Sequence, residues 1–148
     1  MFKKTLLVAA IMAVIGAAAA YWLAETSSAK LAEPVKVNEQ ADDFIIHVQV
    51  EKKDKGFQVL RSLEYIGEEP VELLHRTPLI SLDVNREMND FTGSPVTKEL
   101  DPGDVYHPQD PKLFKPLDKG THTLYITCEF YLNGELKSIQ TEKEMVFE

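Results

Sequence analysis

The strict alternation of apolar and polar residues near the C-terminus constrains the fold of this chain more than any other feature. Across residues 121–132 the even positions are His, Leu, Ile, Cys, Phe and Leu, whereas the odd positions are Thr, Thr, Tyr, Thr, Glu and Tyr. A period of two predicts a long β-strand with one buried face. Asn133-Gly134 follows and favours a type I′ turn, so residues 135–147 are predicted to return as the second strand of a hairpin. Because a hairpin cannot bury its apolar face alone, a second sheet should cover it.

A two-residue loop also fixes which side chains of this hairpin face outward. It places Leu136 outside, opposite Tyr131, and it places Lys143 on the buried face. On this register Tyr125, Tyr131 and Leu136 form a partly exposed apolar patch, unless a β-bulge moves Leu136 inward. Exposed apolar patches indicate contact surfaces, although half-buried tyrosines are also common in ordinary strands. We therefore take Tyr125, Tyr131 and Leu136 as candidate binding residues.

Upstream segments repeat the strand pattern at short spacing. They occupy residues 44–50, 57–65, 71–75, 79–84 and 104–107. The first has apolar even positions and the second has apolar odd positions, with Arg61 as the exception. Residues 85–98 are predicted to form an exposed connection that contains one short edge strand. About seven strands, without an amphipathic helix after residue 24, predict an all-β fold, namely an immunoglobulin-like antiparallel β-sandwich.

The N-terminus predicts export from the cytoplasm. Residues 5–24 are uncharged and follow Lys3 and Lys4, which indicates an apolar helix whose N-terminus stays inside. One interpretation is a single-pass membrane anchor, since about 20 apolar residues cross a bilayer. The other is a signal peptide cleaved near Tyr21 or Lys30, which would release a secreted protein. The predicted organisation is an anchor or signal at residues 1–24, a polar linker at 25–42 and a sandwich at 43–148, outside the cell membrane of a bacterium.

The net charge of the chain limits the kinds of partner that it can bind. Lys3 and Lys4 are the only charged residues among the first 24, so the remainder carries 14 basic and 24 acidic residues, a net charge of −10. Such a surface disfavours nucleic acid and anionic lipid headgroups as partners.

Cys128 is the single cysteine of the chain, so an internal disulfide is excluded. Its position on the apolar face of its strand predicts that it is a small buried hydrophobic residue.

The sequence contains no strong catalytic motif, so we predict that the protein is not an enzyme and needs no cofactor. One group of potential metal ligands is spaced three residues apart in the sequence, namely Asp101, Asp104, His107 and Asp110. Carboxylates and an imidazole can bind a divalent cation. The alternative is that aspartate and proline are simply the residues that turns use.

Three turn motifs carry a family resemblance. They are Gly-Glu-Glu-Pro-Val at residues 67–71, Leu-Asp-Pro-Gly at 100–103 and Leu-x-x-Gly-Thr at 117–121. Across roughly residues 44–147 the chain resembles small bacterial immunoglobulin-like domains and is similar to the Bacillus intracellular proteinase inhibitor family, BsuPI. The resemblance implies a sandwich fold and, by analogy, protease inhibition, although the chain has an export segment and lacks a recognisable reactive-site loop.

Together these features predict a non-enzymatic extracytoplasmic binding module with a protein partner, in contact with the membrane through residues 5–24. Two alternatives stay open. A protease inhibitor of BsuPI type would use an exposed rigid loop, with residues 85–98 as the candidate. A metal-binding exported protein would use the ligands between Asp101 and Asp110.

Overall fold

The computed structural model describes residues 8–19 and 29–148 of the chain. Residues 8–19 are helical, within the segment predicted as an apolar helix. The two ends of that predicted segment, and the cleavage position near Tyr21, lie outside the described residues. In the two described ranges no helix has both the length and the apolar character needed to cross a membrane.

Residues 29–148 form a sandwich of two antiparallel five-stranded sheets. The strands are β1 (Val35–Ala41), β2 (Phe44–Lys52), β3 (Phe57–Tyr65), β4 (Val71–His75), β5 (Ile80–Val84), β6 (Val96–Leu100), β7 (Val105–Tyr106), β8 (Lys112–Phe114), β9 (Gly120–Leu132) and β10 (Glu135–Phe147). The first sheet has the order β1-β2-β3-β7, with β8 also paired to β3. The second has the order β10-β9-β4-β6, with β5 also paired to β9. The predicted all-β class and antiparallel sandwich are confirmed.

The closing hairpin has the predicted register. Its turn residues Asn133 and Gly134 have φ values of 52° and 77°, as a turn with two left-handed residues requires. Pairing runs without interruption from Leu132–Glu135 to Gly120–Phe147. No bulge intervenes, so Leu136 stays on the outer face, opposite Tyr131.

Aromatic pairs join the two sheets across the core. The ring centroids of Phe44 on β2 and Phe130 on β9 lie 4.8 Å apart. Those of Phe57 on β3 and Phe147 on β10 lie 5.3 Å apart. All four side chains are at most 3% exposed. Tilted aromatic pairs of this kind contribute roughly 0.5–1.5 kcal/mol beyond the burial of their area, so they fix how the sheets stack.

The charged side chain of Lys143 occupies an inward-facing position and is nevertheless exposed. It escapes burial because β10 is an edge strand. On the edge of β10 that faces away from β9, the described residues form only one bridge, between Leu31 and Phe147. A lysine that points inward from an edge hinders the docking of a further strand, which accounts for its place on the face that also carries the core residues Ile139, Met145 and Phe147.

The folded domain begins earlier than the predicted boundary at residue 43. Leu31 is 2% exposed, and Lys30 and Glu148 exchange two backbone hydrogen bonds of 2.9 Å. β1 then pairs along nearly the whole of β2. Burial alternates along β1, and Glu39 is the charged residue among its inward positions. Residues 29–42 therefore belong to the domain rather than to a linker.

Candidate protein-contact surface

Three exposed apolar side chains form a continuous row on the outer face of the second sheet. Tyr131 on β9 is directly opposite Leu136 on β10 and Leu74 on β4. Their exposed fractions are 43%, 47% and 44%, respectively. Directly opposed residues have Cβ atoms only about 5 Å apart, so the three side chains make one surface. We call Leu74, Tyr131 and Leu136 the apolar row.

A shallow depression adjoins the apolar row at the hairpin turn. Its volume is about 310 Å³, and Glu72, Leu74, Tyr131, Asn133 and Gly134 line it. The depression gives the row a concave border, and concave apolar surfaces with a few polar groups are the usual form of binding sites.

Tyr125 does not join the apolar row. It lies between Asp83 and Glu142 in the sheet and is half-buried. It is six positions from Tyr131 along β9, a separation of about 20 Å at roughly 3.3 Å per residue. Of the three predicted binding residues, the fold therefore brings together Tyr131 and Leu136.

Sequence reasoning missed Leu74, the third member of the row. The strand at residues 71–75 was predicted, and Leu74 shares the outward-facing parity of Glu72 within it. What the sequence lacks is the non-local information that β4 lies beside β9.

The outer face around the apolar row is acidic. Outward-facing positions of the second sheet hold acidic side chains on all five strands, and none of these positions carries a lysine or arginine. The acidic residues are Glu72, Asp83, Glu99, Glu129, Glu142 and Glu144. Glu72 and Glu99 are directly opposite each other. Like charges at this spacing repel, so a cationic group placed here would be stabilised.

The predicted metal ligands are spread along the chain, with Asp101 and Asp104 on either side of a turn and His107 and Asp110 after β7. The Asp104 carboxylate accepts a 2.8 Å hydrogen bond from the backbone N–H of Asp101. Asp104 and His107 line a second depression of about 560 Å³, which Asp101 and Asp110 do not line. Nowhere in residues 8–19 or 29–148 are three His, Cys, Asp or Glu side chains placed to hold a metal ion. The geometry therefore lends the metal hypothesis no support.

His75 is a structural residue that links the two sheets. It is 3% exposed, and its Nδ1 lies 2.8 Å from the carbonyl oxygen of Arg76. Its Nε2 lies 2.9 Å from the hydroxyl of Tyr106 on β7. A neutral ring satisfies both contacts when Nδ1–H donates to the carbonyl and Nε2 accepts from the hydroxyl. Burial raises the pKa of Tyr106 above its ordinary value.

Cys128 is a free, fully buried thiol. Burial, with a smaller contribution from the charge of Glu129, raises its pKa far above the ordinary value. The thiol is therefore a small apolar group at neutral pH rather than a nucleophile, which confirms the interpretation from its place in the strand.

Two comparisons with known proteins found no match to this chain. No protein-family profile matches the chain, and no curated protein matches it in sequence. Its function is accordingly inferred from the apolar row, the acidic face and the surrounding fold.

Proposed function

We propose that this chain is a non-enzymatic binding module of immunoglobulin-like type that acts outside the cytoplasmic membrane through a protein partner. The apolar row carries the proposal. Leu74, Tyr131 and Leu136 are large, adjacent and each more than two-fifths exposed. Apolar side chains gathered in one place favour coverage by another surface, because burying them releases their hydration water.

The immunoglobulin-like assignment is supported by the arrangement of the strands. Two antiparallel sheets pack face to face, and short strands follow one another without a helix between residues 29 and 148. A long hairpin closes the chain, as the family resemblance to small bacterial sandwich domains implies. We take this as a fold assignment, since sandwich families share architecture across many functions.

The placement of the apolar row suits a membrane-tethered module. The row lies at the turn of the closing hairpin, whereas the chain enters the domain at the Leu31–Phe147 bridge, at the opposite end of β9 and β10. β9 has 13 residues, so these ends are about 40 Å apart. An anchor at residues 5–24 would then present the row away from the bilayer. Cleavage of the same segment would release a diffusible module with the same surface.

The acidic face defines the chemistry of the partner. Glu72, Glu99 and Glu129 surround the apolar row at outward-facing positions. A partner with an apolar centre and a basic rim fits this pattern, because complementary charge raises the association rate and excludes acidic competitors. The apolar contact would supply most of the affinity, and the charges would supply selectivity.

The test is site-specific photo-cross-linking in native membranes. Benzoylphenylalanine is introduced at Leu136 and, as a matched control, at Val146, which is 44% exposed on the same face of the same strand. We expect a cross-linked protein at position 136 and none at position 146. Tyr131→Glu should remove the product, whereas Gln140→Glu, which adds the same charge farther along β10, should leave it. Equal products at both positions would contradict the proposal.

One observation favours a second function, protease inhibition by the connection after β5. The Asp83 carboxylate accepts hydrogen bonds from the backbone N–H groups of Met88 at 3.2 Å and Asn89 at 3.0 Å. Gly93 donates to the carbonyl of Thr77 at 2.9 Å, and the Met88 side chain is 68% exposed. A loop fixed at both ends that presents one apolar side chain is preorganised for a protease cleft.

This second function is tested with a panel of serine proteases of differing specificity. Inhibition of one protease that is lost in Met88→Gly, and retained in Met145→Leu within the core, would establish it. Absence of inhibition across the panel, or inhibition that Met88→Gly leaves unchanged, would exclude it.

A further inference from the structure

Folding separates the charges of this chain between the two ends of the sandwich. Exposed lysines gather at the end where the chain enters the domain, in the β2–β3 turn and in the segment between β8 and β9. We call them the lysine cluster, and they are Lys52, Lys53, Lys55, Lys115 and Lys119. At the other end, the turns at residues 41–43, 66–70 and 101–104 contain no lysine or arginine. They carry six exposed acidic residues, namely Asp42, Asp43, Glu68, Glu69, Asp101 and Asp104.

Strand pairing brings the two lysine-bearing segments together. Phe57, the first residue of β3, pairs with Lys52 on one side and with the last residue of β8, which Lys115 follows, on the other. The ring centroid of Phe57 also lies 5.3 Å from that of Phe147, which pairs with the residue directly after Lys119. The lysine cluster is therefore a single surface at one end of the first sheet.

The lysine cluster is not neutralised within the fold. Among the described residues, none of its five ammonium groups forms an ion pair with a carboxylate. The acidic residues beside it are Asp54, Asp118 and Glu51, and Glu51 accepts hydrogen bonds from the side chains of Gln49 at 2.9 Å and Gln58 at 3.1 Å. Three lysines and three glutamates balance around the chain entry, namely Lys30, Lys36, Lys143, Glu33, Glu144 and Glu148. This end of the domain is consequently positive, whereas the chain from residue 25 onward carries −10.

An exposed leucine adjoins the lysine cluster. Leu113 on β8 is 70% exposed, more than any other large apolar side chain in residues 29–148. It lies opposite Gln58 on the outer face of the first sheet, one residue from the end of β8. An apolar side chain beside several lysines is typical of a surface that contacts a bilayer, because the apolar group enters the headgroup layer and the ammonium groups approach the phosphates.

The chain reaches this end of the domain from the predicted anchor. Leu31 forms the bridge to Phe147, beside the lysine cluster. Seven residues separate Leu31 from Ala24, where the predicted anchor ends, and they span at most about 25 Å. The acidic turns lie farther out, since the nine residues of β2 extend over about 30 Å. Salt screens charges beyond about 8 Å, so a bilayer at the anchored end is exposed mainly to the lysines.

We propose that the lysine cluster docks on an anionic lipid surface, with Leu113 entering the headgroup layer. The inference rests on the proposed anchor at residues 5–24 and deepens it by naming the lipid that the domain recognises. Each lysine close to an anionic surface strengthens membrane binding about fivefold. Docking through the outer face of the first sheet turns the outer face of the second sheet, and with it the apolar row, away from the bilayer.

The test is fluorescence quenching of the full chain reconstituted in vesicles that contain a lipid with a nitroxide headgroup. A small apolar fluorophore is attached at Leu113→Cys or, as a matched control, at Val105→Cys, which is 46% exposed on the same outer face at the acidic end. Cys128 is buried and stays unlabelled. The vesicles are phosphatidylcholine alone or phosphatidylcholine with about 30% phosphatidylglycerol.

We expect quenching at position 113 to be at least about threefold stronger in the anionic vesicles. The difference should disappear in 1 M sodium chloride, where the screening length falls to about 3 Å. Position 105 should be quenched weakly in both lipids. Equal quenching at position 113 in the two lipids, or equal quenching at positions 113 and 105, would overturn the proposal.

Variants decide whether the lysines are responsible. The triple variant Lys52→Gln, Lys53→Gln and Lys55→Gln removes exposed charges from the β2–β3 turn and keeps Gly56, whose φ of 85° shapes the turn. It should lower quenching in anionic vesicles to the level in phosphatidylcholine. Lys98→Gln with Lys137→Gln removes two charges nearer the acidic end and should leave quenching unchanged. Quenching that the triple variant leaves intact would overturn the proposal.

Failure of the anchor and failure of docking give different results. A chain that does not float with phosphatidylcholine vesicles would refute the anchor and this inference with it. A chain that floats with both lipids, without stronger quenching at position 113 in the anionic one, would refute docking alone. The cross-link at position 136 reports on the protein partner and does not depend on either result.

Discussion

The substitution Tyr106→Phe removes a single hydroxyl group. It should nevertheless lower the free energy of unfolding by more than the loss of one oxygen atom suggests. The hydroxyl of Tyr106 lies 2.9 Å from Nε2 of His75, and this contact joins β7 of the first sheet to β4 of the second. His75 is only 3% exposed, so water does not readily replace the lost donor. A typical hydrogen bond contributes about 1 kcal/mol net, and an unsatisfied buried acceptor costs about 1–3 kcal/mol. We expect a loss of about 1–2 kcal/mol.

Equilibrium urea unfolding measures this loss. With a slope of about 2 kcal/mol/M, the midpoint should fall by roughly 0.5–1 M. Tyr131→Phe is the matched control, because Tyr131 is 43% exposed on the outer face and should change the midpoint little. Long-range ¹⁵N spectra should also show the proton of His75 on Nδ1, as donation to the Arg76 carbonyl requires. An unchanged midpoint in Tyr106→Phe would refute the inter-sheet hydrogen bond.

Three further predictions concern the core and the turns. Cys128→Ser should cost about 1–3 kcal/mol, because it places a hydroxyl in a buried site, and urea unfolding measures this. The native thiol should react with a thiol reagent at pH 8 only as fast as the protein unfolds, since burial raises its pKa; rapid reaction would contradict the burial. Gly56→Ala should cost at least about 2 kcal/mol, because φ is 85° and an added Cβ would collide with the Phe114 carbonyl, whereas Gly134→Ala, at φ 77° in open space, should cost only about 1–2 kcal/mol.

The parts of the fold that follow from local pattern were predictable from the sequence. The alternation in β9 and the Asn133-Gly134 turn determine the closing hairpin and its register, and hence the exposure of Tyr131 and Leu136. Local pattern suffices because side chains alternate across a strand and a two-residue loop leaves no freedom in the pairing.

The parts that depend on non-local pairing were not predictable. β8 is too short to show an alternation, and it is a strand because the backbone of β3 pairs with it. β1 does alternate, but it has the charged Glu39 at an inward position, and its full length is defined by pairing with β2. Leu74 joins the apolar row only because β4 packs beside β9. The lysines of residues 52–55 were visible in the sequence, but their grouping with Lys115 depends on the pairing of β3 with both β2 and β8.

The most direct test of a covered apolar row outside the membrane is cysteine accessibility on intact cells. Leu136→Cys and Glu142→Cys place exposed thiols on the same face of β10, in a chain whose native Cys128 is buried. In the purified protein both should react readily with a membrane-impermeant maleimide. On cells, we expect position 142 to be labelled and position 136 to be protected by the partner. Equal labelling of both positions on cells would contradict coverage of the row, and absence of labelling at position 142 would contradict the extracytoplasmic placement.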